Sequence, residues 1–247
     1  MPEIVLEVCV DDAAGLAAAR AGGADRVELC GALTIGGITP SRGLMELASA
    51  SGLPAYPMIR SRPGDFVYGA ADVAVMKGDI RAVRAAGLTG VVLGANRPEG
   101  SLDWPVIADL VAEAQGLDMT LHRCIDLCRD VDQAVEQAIS LGFRRILTSG
   151  GTLKAPDGRR RLAAMFAQAR DRIIIMPGSG LSAETLPGLR GLPLREVHGS
   201  CSVPVPPDPQ GQAFGFQSPS QRRTDPGKVA ALKAALRAWP TAGHRSA

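Results

Sequence analysis

No stretch of this 247-residue sequence approaches the roughly 18 to 20 consecutive apolar residues that a membrane-spanning helix requires, so no such span is expected. A basic leader with a small-residue cleavage site is also missing. The chain runs from MPEIVLEVCV straight into a strand pattern, and a cytoplasmic location is expected. There is no excess of either charge: 27 Lys and Arg stand against 25 Asp and Glu, a formal net charge of +2. The basic runs RRIL, DGRRRL and SQRR are local, and so balanced a chain implies no nucleic-acid partner. Histidine is scarce, with three residues, His122, His198 and His244, the last in a polar tail. The five cysteines include no C-x₂-C pair, which leaves little basis for a structural zinc site; in a cytosolic chain they are expected to be reduced thiols.

What is present is an alternation of short β-branched runs with Ala- and Leu-rich amphipathic runs, the pattern of parallel strands joined by crossover helices. Eight strands are predicted at 4–10, 26–30, 54–60, 90–94, 118–123, 144–149, 172–177 and 194–200, with eight helices between and after them. The regular eight-fold count predicts a single (β/α)₈ TIM barrel over 1–247 in preference to an open doubly wound sheet. Helix starts are expected at Asp11-Asp12, Thr39-Pro40-Ser41 (with Pro40 near the first turn), Asp130 and Ser182-Ala183-Glu184. Glycines at 22–23, 52, 87 and 142 mark helix ends. Residues 201–224 are dense in Pro, Gln, Gly and Ser and read as a loop, either a lid over the rim or a disordered segment, before a last helix at 225–238.

Parity along the strands sorts side chains between the helix-facing and inner surfaces. Glu7 and Cys9 oppose Leu6, Val8 and Val10; Glu28 and Cys30 oppose Val27 and Leu29; Thr120 and His122 oppose Met119 and Leu121; Glu196 and His198 oppose Val197. The interior thus receives Glu7, Glu28, Arg60, His122, Glu196 and His198 where barrels normally hold Val, Ile and Leu. Buried charges must pair, titrate, or meet water or a ligand. One arrangement is a self-satisfied network in which Arg60 pairs with Glu7 and Glu28. The other is a reaction site at the C-terminal rim.

The phrases LEVCVDD at 6–12, GGADRVELC at 22–30, GGITPSRGL at 36–44, PMIRSRPGDFVY at 57–68, LHRCIDLCRD at 121–130, IIIMPGSGL at 173–181 and REVHGS at 195–200 together resemble the CutC family, whose members are labelled copper homeostasis proteins. The resemblance implies a TIM barrel linked to copper tolerance or copper binding. Cu(I) selects thiolate sulfur, so Cys9, Cys30 and Cys201, after three strands that become neighbours on closure, are expected to share the ion, with Cys124 and Cys128 beside His122 as a second pair.

An enzyme is the alternative. Barrels of this fold hold phosphate on backbone N–H groups after the last strands, here Gly178, Ser179, Gly180, Gly199 and Ser200, with Ser149 and Gly150 after the sixth. Glu7, Glu28, His122 and His198 supply acids and bases, Arg60 neutralises developing charge, and Asp126 orients a histidine or acts as a base. That kit suits isomerase or lyase chemistry on a small phosphorylated or polyhydroxyl metabolite. A catalytically silent scaffold is a third reading, and homo-oligomers are expected through exposed helix faces.

Overall fold

The eight apolar runs all become parallel strands, each trimmed where the chain leaves the ladder for its crossover: β1 Val5–Val10, β2 Arg26–Leu29, β3 Ala55–Pro57, β4 Gly90–Leu93, β5 Asp118–Leu121, β6 Arg145–Thr148, β7 Ile174–Pro177 and β8 Glu196–Gly199. The structure, a computed structural model, describes residues 3–240, so His244 lies outside it. The hydrogen-bonded strands run β3-β2-β1-β8 in one ladder and β4-β5-β6-β7 in another. The ladders join through a bridge between Met58 and Val92, with the Ile59 N–H donating to the Val92 carbonyl at 2.8 Å. On the other side β7 and β8 lie together, where Gly178 abuts His198. The chain is a (β/α)₈ barrel.

Helices α1 Ala13–Ala21, α2 Arg42–Ala50, α3 Ala70–Ala85, α4 Trp104–Glu113, α5 Val131–Ser140 and α6 Arg159–Ala169 follow strands one to six. Asp12, Ser41 and Asp130 each accept a hydrogen bond from an N–H in the first turn of their helix. Pro40 precedes the cap instead of entering that turn. The expected seventh helix is a 3₁₀ turn, Leu186–Leu189, because Pro187, Gly188, Gly191 and Pro193 leave no run able to propagate an α-helix. Ser182 serves a local turn, accepting from the Thr185 N–H. No helix among the described residues is long and apolar enough to cross a membrane.

The segment read as a loop has structure of its own. Ser202–Pro204 (β9) pairs antiparallel with Arg222–Thr224 (β10), and a short helix, α7 Pro209–Ala213, lies between them. The last helix, α8 Pro226–Arg237, starts on Asp225, which accepts from the Lys228 N–H.

Two environments result from strand parity. Outward residues such as Leu6, Val8, Val27, Leu29 and Val197 pack against the helices in one large apolar shell. Inside, the apolar cluster is small, Cys30, Tyr56, Met58 and Val92, and the remaining space is charged. The parallel register sets Glu7 opposite both Arg26 on β2 and His198 on β8. Arg26 donates to Glu7 and Glu196; Arg145 donates to Glu196 at 2.9 Å, to Asp118 at 2.9 and 3.2 Å and to Thr120 at 3.1 Å. Tyr56 donates its hydroxyl to Asp118, and both guanidiniums lie over its ring, 5.0 and 5.2 Å from the centroid. Gly90 makes room for that ring, since a Cβ there would stand 2.6 Å from it.

A ladder of alternating charge lets the barrel bury two arginines, each ion facing a carboxylate with hydrogen bonds on it. Glu196 joins the two. Replacing Glu196 with Ala is expected to lower unfolding free energy by about 3–5 kcal/mol in urea titrations, the cost of leaving a buried charge short of its partner; a loss below about 1 kcal/mol would mean that water replaces the carboxylate.

Candidate functional site at the barrel mouth

Above the ladder, the same strands carry their next inward residues to the C-terminal rim. Cys9 stands opposite Glu28, one inward step beyond the Glu7 and Arg26 pair. His198 is fixed from below, its Nδ1 lying 2.8 Å from Glu7 Oε1, while its Nε2 faces Glu28 Oε2 at 3.8 Å. Burial pushes the Glu7 carboxyl up, but Arg26 and His198 more than offset this and hold it at about 2. For His198 burial favours the neutral ring; Glu28, with Cys9 and Glu7, overcomes burial and raises it well above the usual imidazole value. His198 is thus an imidazolium that donates from Nδ1 to an ionised Glu7. Glu28 is raised, by burial first and by nearby Glu7, against the opposing pull of His198.

Across the mouth, His122 is set in the opposite state. Its Nδ1 accepts from the Cys124 N–H at 3.1 Å, which fixes the proton on Nε2, and burial, with Arg60 nearby, lowers its pKa to about 3. It is a neutral donor, its ring tilted 41° against Phe66 with centroids 4.7 Å apart. Arg60 lies over the Phe66 ring, 5.0 Å from its centroid.

These side chains line a cavity of about 260 Å³ with Cys9, Leu33, Met58, Arg123, Leu147, Ser179, Gly180 and Ser200. Three residues of its lining each carry a buried polar atom without a hydrogen-bond partner: Glu28 Oε1, His122 Nε2 and Arg60 Nε. Buried polar atoms are ordinarily paired, and three orphans among the residues of one cavity set it apart from the rest of the interior.

Several expected roles are corrected by the geometry. Arg60 does not pair with Glu7 or Glu28; its guanidinium donates to the carbonyls of Ile35, Gly37 and Gly64, clamping two rim loops, and Arg26 takes the place assigned to it. Asp126 orients no histidine. It accepts from Thr148, from the backbone and hydroxyl of Ser149, from the Gly151 N–H and from Arg123. That carboxylate fills the turn after β6, and Gly150 donates to Thr148 Oγ1, so Ser149 and Gly150 are not an open anion cradle. Gly178 donates its N–H to the Thr148 carbonyl; its lack of a side chain matters because a Cβ would stand 2.5 Å from Leu147. Gly199 lies within β8, facing Leu232 and the Cys201 sulfur. Of the expected cradle, Ser179, Gly180 and Ser200 line the cavity, with Ser179 and Gly180 at φ of 78° and 67°, turned out of the strand.

The thiols do not converge as expected. Cys30 turns its sulfur to Glu28 Oε2 at 3.6 Å. Cys201 has φ of 46°, which turns it away from the inner face into the helix-side core. Cys124 does lie beside His122, its N–H on Nδ1, but Cys128 accepts from Asn96 at 3.5 Å, and the two thiols and the imidazole form no ligand cluster among the described residues. Among the described residues, the donors that do meet are Cys9, Glu28 and His198, with ligand atoms within 4.8 Å of one another. The sequence reading missed Arg26, Arg145, Asp118 and Tyr56. For Arg26 the signal was available, since it shares the parity of Glu28 and Cys30.

Residues 4–203 match the model of the CutC family. A CutC family protein of Sinorhizobium medicae is 53% identical over 238 residues, covering 96% of this chain and 97% of the relative. The crystal structure of CutC from Streptococcus agalactiae superposes with a TM-score of 0.74 at 29% identity, covering 80% of this chain and 98% of that one. Thiamine phosphate pyrophosphorylase from Pyrococcus furiosus shares the fold alone, with a TM-score of 0.57 at 11% identity, over 95% of this chain and 96% of that one.

The two histidines are expected to titrate in opposite directions. Glu7 is depressed from 4.5 to about 2, so the stability it lends is complete above about pH 4.5 and is lost as pH falls toward 2. His198 is raised from 6.5, so its contribution is complete below pH 6.5 and is lost as pH rises through the raised value. In an NMR pH titration His122 should stay neutral at pH 5 while His198 stays protonated above pH 7. Glu7→Gln should lower the His198 midpoint by about one unit or more. Two histidines titrating together near 6.5 would contradict this electrostatic reading.

Proposed function

The chain belongs to the CutC family, and on that premise we propose that its barrel mouth is a reaction site for proton transfer on a small anionic metabolite, of the isomerase or lyase type. The observation that carries this reading is that Glu28, His122 and Arg60, each with a buried polar atom lacking a hydrogen-bond partner, line one cavity. The reaction follows from their chemistry. Backbone N–H groups of Ser179, Gly180 and Ser200 hold the anionic group. Glu28, as carboxylate, takes a proton from carbon next to a carbonyl; the C–H electron pair moves into the new C=C bond and the carbonyl pair onto oxygen. The resulting oxyanion accepts from the neutral His122 Nε2–H and from the Arg60 Nε–H; with a hydroxyl on the deprotonated carbon, the hydroxyl proton passes to the oxyanion, that hydroxyl oxygen becomes the new carbonyl, and Glu28 returns its proton to the former carbonyl carbon, which completes an isomerisation. A neutral imidazole donates to such an oxyanion without trapping it as a salt. Glu7 orients His198, whose charge in turn tunes Glu28.

Copper carried by thiols is the reading that the family label suggests, and it is a second proposal in altered form. Cys9, Glu28 and His198 present one sulfur, one carboxylate and one imidazole. That donor set fits a borderline divalent ion, zinc or Cu(II), better than Cu(I), which selects sulfur. The Glu7 carboxylate behind His198 is the outer partner that metal-binding histidines usually have. Action in the cytoplasm and association into homo-oligomers belong to the same set of proposals; the exposed Leu47 and Val75 on the neighbouring helices α2 and α3 support the latter.

Incubation in D₂O with a panel of sugar phosphates and keto acids, read by proton NMR, tests the enzyme reading. At least one compound should raise the melting temperature and lose a C–H signal next to its carbonyl. Glu28→Gln should keep binding it while exchange slows about 10²-fold or more. If no compound binds or exchanges, the acid–base reading falls. Calorimetric titration with Zn²⁺, Cu²⁺ and Cu⁺ against a competing chelator tests the second reading: Cys9→Ser should weaken divalent binding about tenfold or more, and undiminished affinity removes that site.

A further inference from the structure

The mouth cavity shares three lining residues, Cys9, Leu33 and Ser200, with a neighbouring groove of about 500 Å³ that is also lined by Ser202 of β9 and by Arg222, Arg223 and Thr224 of β10. At about 260 Å³ the mouth alone falls below the roughly 300–1,000 Å³ typical of small-molecule sites. With the groove added, the space lies within that range.

The groove's walls differ in character from the mouth. Its lining sets the charged side chains of Asp11, Asp12, Arg222 and Arg223 beside a set of hydroxyls: Ser200 and Ser202 lie 3.1 Å apart through their Oγ atoms, and Ser218 and Ser220 2.9 Å apart. A hydroxyl offers one donor and two acceptor positions, so each pair retains unused hydrogen-bonding capacity. The outer wall is Phe216, 88% exposed and stacked on Phe214 with ring centroids 6.2 Å apart. An aromatic face this exposed contributes little to the fold, and it lies beside a row of hydroxyls. Together they offer what a sugar ring needs: an aromatic surface for its C–H face and hydroxyl partners along its edge.

We propose that the hairpin groove is the second compartment of the substrate site, and that the ligand carries a hydroxyl-rich ring joined to the anionic group held at the mouth. This rests on the mouth reading above and adds the ring to it. Ser200 is the junction: it lines both cavities, and its hydroxyl meets that of Ser202 in the groove. The hairpin is thereby the element that sets substrate size, while the barrel rim supplies the chemistry.

Two probes that share a phosphate on a primary carbon separate the compartments: glycerol 3-phosphate, which fills only the mouth, and glucose 6-phosphate, which also reaches the groove. Calorimetry on the full chain should show glucose 6-phosphate binding at least tenfold more tightly. Phe216→Ala should bring the two within about threefold of each other, leaving glycerol 3-phosphate affinity and the melting temperature unchanged, since the ring it removes is exposed. Equal affinities in the wild type, or equal losses for both probes in Phe216→Ala, would overturn the groove while leaving the mouth intact. Absence of binding by either probe would overturn both.

Discussion

One carboxylate organises this molecule. Glu7 is wholly buried between Arg26 and His198, its two Cα-level partners on the strands either side of β1. A lone carboxylate in that position would be protonated or would unfold the barrel; with a guanidinium on one oxygen and an imidazolium on the other it stays charged. Everything else in the interior follows from this. Arg26 carries the charge on to Glu196, and Arg145 carries it to Asp118, so the lower barrel is filled by an ionic ladder where apolar layers are usual. Above Glu7, the imidazolium that it stabilises faces Glu28 and fixes the electrostatics of the mouth.

The mouth therefore has two histidines in opposite protonation states on opposite walls, from a single physical cause. His198 is surrounded by carboxylates and is charged; His122 has Arg60 and apolar neighbours and is neutral. Environments that push two similar groups apart are how acid and base roles are divided within one site. The thiols play a smaller part than their number suggests. Four of the five are packed in the helix-side core or turned onto a neighbouring carboxylate, and Cys9 alone opens onto the cavity.

Strand and helix positions were legible because they depend on local periodicity. Parity alone assigned Glu7, Glu28, His122, Glu196 and His198 to the inner face, since a barrel's outer face must be apolar against its helices. The same rule applied to Arg26 would have found the partner of Glu7. Arg60 was misread because proximity in a list of charged residues says nothing about direction: at the end of its strand it reaches sideways to rim carbonyls. The glycine-rich turn after β6 resembled an anion cradle for the same reason. Its N–H groups do bind an anion, but one supplied by the chain itself, Asp126 from the turn after β5.

By itself the sequence determined the closed barrel, the inward placement of its charges and the family, because periodicity and motif are properties of neighbours along the chain. Tertiary structure alone decided which charges meet. Register between strands put Cys9 across from Glu28 and Glu7 across from His198, a left-handed backbone at Cys201 carried that thiol out of reach, and the segment at 201–224 became an antiparallel strand pair with a short helix between its strands. The pairings depend on the relative height of the barrel strands, and strand height is fixed by packing around the whole ring, which no local pattern records.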